Sequence, residues 1–210
     1  MVLQFDREQY ARGRFRYVAH SHNRTNTIYF EKMNNGNIAL RSNDFNEPFE
    51  LQIYPFFKTT VKKGVETKQL AGDFLFGTNS KGLVYYCGKK GTNFLNGVYY
   101  WTFEIANTKY VAYEVGLGRK GIYLCIWGNE KTKAIVSKDV HAKRFESKYS
   151  IFIEDEAIAE IATICSLFWD LTRYYPSGSS EEFYTLNTWQ KELKNKYDSK
   201  FIERVVLHDN

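Results

Sequence analysis

The feature of this sequence that most restricts its fold is a segment near residue 160 that is apolar on nearly every side. The stretch EDEAIAEIATICSLFWDLTRYYP has acidic residues where a helix begins, and Pro176 where it ends. One face carries Ile158, Ile161, Ile164, Cys165, Phe168 and Leu171. A helix that is apolar all round must be enclosed by protein or lipid, and this run is far shorter than the roughly 20 residues that cross a bilayer. We therefore predict a helix over about residues 156–175, enclosed by the rest of the chain.

The chain before this segment has the pattern of short strands joined by turns. Residues 98–105 and 109–117 alternate apolar with polar side chains, whereas residues 122–127 are apolar on both faces. Further strands are predicted at 14–19, 27–32, 49–54, 72–77, 83–87, 132–137, 140–145 and 148–153. Aromatic residues make up 17% of the 210 residues, and they favour a pleated, half-buried surface. This spacing predicts an antiparallel meander in a sandwich or barrel.

The two patterns together predict the architecture. Since the simplest way to enclose the helix is to thread it through a closed barrel, we expect a mainly β fold, a closed antiparallel barrel around a central apolar helix. The barrel with its helix would cover residues 1–175, a linker rich in Pro, Ser and Gly residues 176–185, and a helical extension residues 186–210.

The extension is predicted to be an amphipathic helix with Asn187 as a possible N-cap. Its apolar stripe recurs every three or four residues and consists of Leu186, Trp189, Leu193, Tyr197, Phe201 and Val205. A stripe of this size does not stay solvated. It could cover the outside of its own barrel, which we favour, or bind a partner or a second subunit.

One motif has to be weighed against a dinucleotide site. Residues 116–121, GLGRKG, match G-x-G-x-x-G, whose chemistry needs a strand before it and a helix directly after it. The residues that follow, IYLCIW, are β-branched and aromatic and predict another strand. We therefore interpret the glycines as turn residues that supply positive φ between two strands.

The stretch KYVAYEVGLGRKGIYLCIWGNEKTKAIVSKD, followed by SKYSIFIED and the apolar helix, resembles the tubby C-terminal-like superfamily, which includes the phospholipid scramblase and LURP-one-related domains. The resemblance covers about residues 95–175 and is closer to the small microbial members. It implies an antiparallel barrel wrapped around a C-terminal apolar helix. Some eukaryotic members bind phosphoinositides through basic residues on the barrel surface, and none of those residues is carried over to a position in this chain.

Positive charge is concentrated before the helix. Residues 1–155 hold 23 Lys and Arg against 15 Asp and Glu, whereas residues 156–210 hold 6 against 9. The basic clusters in or beside predicted loops are Lys62 with Lys63, Lys89 with Lys90, and Arg119 with Lys120. Loop lysines beside aromatic residues suit an anionic lipid headgroup or a membrane surface, and they equally suit ordinary loop solubility. We take these six residues as the candidate anion-binding site and do not expect a nucleic-acid ligand.

The remaining candidates for chemistry are sparse. His20 and His22 would point to one side of a strand, but two histidines do not make up the three or four ligands of a zinc site. Cys87, Cys125 and Cys165 form neither a C-x-x-C pair nor an even set. We expect no metal or cofactor, and a cytoplasmic protein, peripheral to a membrane if it binds lipid. The leading hypothesis is a non-enzymatic binding module for anionic lipid or a protein partner, and the alternative is an enzyme with a site at the barrel rim near His20 and His22.

Overall fold

The structure is a computed structural model. It describes the backbone of residues 1–11, 14–21, 24–32, 38–42, 49–62, 65–79, 84–91, 99–105, 108–139, 146–174 and 191–209, and the side chains of residues 1–9, 16–20, 100–101, 108–139, 146–171, 173–174 and 192–209. The strands are β1 (Val2–Ala11), β2 (Arg14–Ser21), β3 (Arg24–Lys32), β4 (Ile38–Ser42), β5 (Phe49–Lys62), β6 (Val65–Asn79), β7 (Val84–Gly91), β8 (Tyr99–Ile105), β9 (Thr108–Gly116), β10 (Ile122–Gly128), β11 (Lys131–Asp139) and β12 (Ser147–Ile153). The helices are α1 (Ala159–Arg173), α2 (Lys191–Lys194) and α3 (Ser199–Asp209), with single 3-10 turns at Gly118–Lys120 and Glu156–Ile158.

The strands pair antiparallel with their neighbours in sequence, and β1 also pairs with β12. Arg7 lies opposite Tyr17 of β2 on one side and opposite Ser147 of β12 on the other. In such a meander the carboxyl ends of the odd-numbered strands lie at one end of the sheet. We call it the basic end, because β5 and β7 finish there with Lys62, Lys89 and Lys90.

The predicted closed barrel around the helix has to be corrected. The seven strands whose side chains are described run in the order β2-β1-β12-β11-β10-β9-β8, and this sheet is not curled into a barrel. Within it, β2 and β8 are the two outermost strands. Helix α1 contacts β1, β10, β11 and β12 and packs on one face of the sheet. The mainly β, antiparallel character was predicted correctly.

Both faces of this sheet are covered by helices. Side chains of alternate residues on the inner face pack against α1, among them Phe5, Leu124 and Ile151. The intervening side chains point to the outer face, where Ile135 packs with Phe201 and Val205 of α3. A strand that is apolar on both faces, as β10 is, therefore belongs to a sheet enclosed between two helical layers.

Helix α1 is as buried as its composition predicts. Every residue from Ala162 to Asp170 is buried, and Ile161 is partly buried. Asp155 caps the turn before it by accepting a hydrogen bond from the Ala157 N–H at 2.9 Å. Among the described residues, no helix is long and apolar enough to cross a membrane.

The extension packs on its own sheet and is broken into two helices, α2 and α3, rather than one. Of the predicted stripe, Leu193, Phe201 and Val205 are buried and Tyr197 is partly buried, while Leu186, Trp189 and the linker at 176–185 lie outside the described residues. Between the helices, the Lys196 ammonium lies 3.9 Å from the centre of the Trp127 ring, and the Trp127 indole N–H donates to the Lys196 carbonyl at 3.3 Å. These contacts attach the segment between α2 and α3 to β10.

Candidate anion-binding end and the Asp170 cluster

The best-described part of the predicted basic site is the turn between β9 and β10. Arg119 and Lys120 are exposed on the 3-10 turn, and the Gly121 N–H donates to the Gly118 carbonyl at 3.1 Å. Gly118 has a φ of +61° and Gly121 a φ of +124°, so the prediction of turn glycines with positive φ is confirmed for these two, whereas it is wrong for Gly116, which is the last residue of β9. Strand β10 begins directly afterwards, where a dinucleotide site would need a helix.

The other predicted basic residues belong to the same end of the sheet. Lys62 is the last residue of β5 and pairs with Val65, the first residue of β6. Lys89 and Lys90 lie two residues and one residue before the end of β7. Their side chains, and all of Lys63, lie outside the described residues. The up-and-down strand order therefore brings the ends of β5, β7 and β9, which are far apart in sequence, to a common end.

The structure also shows a site that the sequence reasoning missed, a buried polar cluster at the same end. Its centre is Asp170, in the penultimate turn of α1, which accepts from Arg7 Nη1 at 2.7 Å and from the Tyr17 hydroxyl at 2.9 Å through Oδ2. The Tyr149 hydroxyl donates to Oδ1. We call Arg7, Tyr17, Lys138, Ser147, Tyr149 and Asp170 the Asp170 cluster. A signal for it was present in the sequence, because Asp170 is the one carboxylate in the apolar stretch from Ile161 to Leu171, and a buried carboxylate needs hydrogen-bond donors.

Two cations in this cluster share one hydroxyl. The Ser147 Oγ accepts from Arg7 Nη2 and from Lys138 Nζ, each at 3.2 Å. The Lys138 ammonium also lies 4.4 Å from the centre of the Tyr174 ring and 4.9 Å from that of Tyr149. The cluster thus holds two cationic side chains and one carboxylate.

Burial sets the titration of these groups. It lowers the pKa of Lys138 to about 8, against the opposing attraction of Asp170. Burial also raises the pKa of Tyr17 and Tyr149 well above their usual value, and the nearby Asp170 raises it further, so both hydroxyls remain protonated donors. Burial alone would lower the pKa of Arg7, but Asp170 and the two tyrosines together more than offset this, and the pKa is raised.

A second buried carboxylate ties the end of α1 to β9. Glu114 accepts from Arg173 Nε at 2.8 Å, from Arg173 Nη2 at 3.0 Å and from the Trp169 indole N–H at 3.1 Å. The last two turns of α1 are therefore bonded to the sheet on two sides, through Asp170 and through Glu114.

The candidates for catalysis are placed differently. His20 is partly buried near the end of β2, at the opposite end of the sheet, and His22 lies outside the described residues. The thiols of Cys125 and Cys165 are free, and burial raises the pKa of both. Cys87 has no described side chain. Within the described part of the chain, no group of three His, Cys, Asp or Glu side chains could hold a metal ion.

Comparison with known proteins adds no relative. Neither a protein-family model nor a curated protein nor a solved structure matches the chain. The resemblance to the tubby C-terminal-like superfamily stays a prediction.

Proposed function

We propose that this chain is a non-enzymatic module that binds an anionic membrane surface through the basic end of its sheet. The observation that carries the proposal is the exposed pair Arg119 and Lys120 on a tight turn, at the end where β5 and β7 bring Lys62, Lys89 and Lys90. A cation near an anionic bilayer contributes about 1 kcal/mol to binding, so several are needed together.

Two further features support this end over the rest of the surface. The Asp170 cluster below it holds more cationic than carboxylate side chains, which adds positive potential beneath the turn. Acidic residues at this end lower its net positive charge; they include Glu8, which is bonded to Arg16 at 2.9 Å, and the exposed Asp139. The described apolar stripe of the extension is already buried on its own sheet, so it supports the protein-partner alternative less than the lipid one.

The experiment is flotation of the protein with vesicles of phosphatidylcholine alone and of phosphatidylcholine with phosphatidylserine, at low and at high salt. We expect binding to the anionic vesicles at low salt and its loss at high salt, since surface charges are screened within about 10 Å at 0.1 M salt. Equal binding to neutral vesicles, or none to anionic vesicles at low salt, would remove the proposal. In the second case a protein ligand becomes the better hypothesis.

A further inference from the structure

Lys138 lies at the seam between the sheet and the end of α1. Its side chain extends from β11 to the inner face, is 3% exposed, and reaches the Tyr174 ring, which follows the last residue of the helix. An ammonium group has three N–H donors. Those of Lys138 meet one hydroxyl, that of Ser147, and the faces of two aromatic rings. While α1 is docked, the ammonium therefore makes fewer hydrogen bonds than it would make to water.

We propose that Lys138 is a proton-operated latch, in which proton uptake by its amine loosens the last turn of α1 from the sheet and proton loss tightens it. The proposal does not rest on membrane binding. It depends on the amine being buried only while this turn is docked, because Tyr174 and Asp170 belong to the end of the helix whereas Lys138 and Ser147 belong to the sheet.

The surrounding charges determine the direction. The charged groups that act directly on Lys138 are Asp170, Arg7 and Asp139. The rings of Tyr149 and Tyr174 lie against the ammonium. In the described residues, the titratable groups one contact further away are Tyr17, Glu114 and Arg173. Asp170 attracts the ammonium, but it is already bonded to Arg7. Arg7 itself opposes a second cation. Burial is the largest influence and disfavours the charged form, so the pKa falls from 10.5 to about 8.

Opening of the helix end would return water to the amine. The open form then takes up a proton more readily than the docked form, and linkage requires that protonation favours opening. The pKa of the amine is about 8 when the turn is docked and 10.5 as the reference. Between these two pH values the docked amine loses its proton, and the docked turn should become progressively more stable. The ring faces of Tyr149 and Tyr174 attract the ammonium and offset only a part of the cost of burying its charge.

The test is hydrogen exchange of the Tyr174 amide, which donates to the Asp170 carbonyl at 2.8 Å, measured between about pH 7 and 10 and divided by the intrinsic rate. In the wild type we expect the protection factor to rise by about 100-fold, because about two pH units of the interval in which the docked amine alone is deprotonated lie within the measured range. In Lys138→Met it should stay flat. The matched control is Lys148→Met, which removes an exposed lysine on the neighbouring strand and should behave as wild type.

A second readout keeps the proposal falsifiable if the variant folds poorly. In the wild type, an NMR titration of labelled lysine side chains should show one amine with a midpoint below about pH 9, well under the usual lysine value. The ring signals of Tyr149 and Tyr174 should move with it. The latch is overturned if every lysine titrates near the usual value, if the rings do not follow, or if protection is equally pH-dependent in Lys138→Met.

Discussion

Asp170 Oδ2 lies 2.7 Å from Arg7 Nη1, and both side chains are inaccessible to solvent. The contact joins the penultimate turn of α1 to the first strand across 163 positions of sequence. Two tyrosine hydroxyls also donate to this carboxylate, so both of its oxygens accept hydrogen bonds. A buried ion pair adds little stability over an apolar substitute, but breaking it by removal of one partner is costly.

Asp170→Asn should therefore lower the free energy of unfolding by about 3–5 kcal/mol, since it leaves the Arg7 guanidinium buried without a counter-charge. Urea unfolding measures the loss. The matched control is Glu8→Gln, because Glu8 and its partner Arg16 are each 41% exposed, and such a pair contributes less than about 1 kcal/mol. Equal losses in the two variants would show that the Asp170 pair has no special role.

Removal of the unpaired Arg7 cation should restore part of the lost free energy of unfolding. Adding Arg7→Met to Asp170→Asn deletes the buried charge, and the side-chain carbonyl of the introduced amide remains as an acceptor for the tyrosines. We expect the double variant to unfold at a higher urea concentration than Asp170→Asn alone. If the two losses simply add, the cost of Asp170→Asn does not come from an unpaired guanidinium.

Lys138 predicts a pH dependence of global stability. Its pKa is about 8 in the folded protein and 10.5 as the reference, so between these values the unfolded chain binds more protons and stability rises with pH. The comparison should stop near about pH 10, because above it the unfolded tyrosines ionise and stability falls again. We expect Lys138→Met to be more stable than wild type at about pH 7 and to lack the rise. A wild-type curve that is flat or falls across this range contradicts the prediction.

The docked extension gives a further prediction. Phe201 is 1% exposed against Ile135 and its neighbours, whereas Leu207, on the same helix, is 76% exposed. Phe201→Asp should release α3 and make residues 196–204 susceptible to trypsin, since a carboxylate cannot remain at the apolar face. Leu207→Asp should leave the digestion pattern unchanged. Resistance of Phe201→Asp to trypsin would show that the docking of α3 does not depend on this contact.

The sequence predicted local features better than the assembly. The apolar helix, strands β8 to β12 and the turn at Gly118 and Gly121 depend on neighbouring residues, so periodicity and turn chemistry were sufficient to predict them, whereas β1 was not predicted. The arrangement of the layers depends on which faces meet. The apolar outer face of β10 indicated a second covering layer, yet it was interpreted as part of a barrel strand.

The Asp170 cluster could not be predicted from local patterns, because its members come from several strands and a helix separated by up to 163 positions. Asp170 is the one carboxylate within the buried part of α1, but the sequence analysis did not single it out. Its partners Arg7 and Tyr17 resembled any polar residues of an alternating strand. Their pairing depends on the register of β1 with β2 and β12, which is a property of the folded sheet.

The central claim is that one end of the sheet binds an anionic surface, and the most direct measurement compares charge reversals at its two ends. Arg119→Glu with Lys120→Glu changes the basic end, and Lys109→Glu with Lys131→Glu makes the same change in charge at exposed residues of the opposite end. At low salt we expect the first pair to weaken binding to phosphatidylserine vesicles by at least about 30-fold, from about 1 kcal/mol for each cation, and the second pair to weaken it much less. Equal weakening by both pairs would contradict a defined binding end and indicate only a general response to net charge.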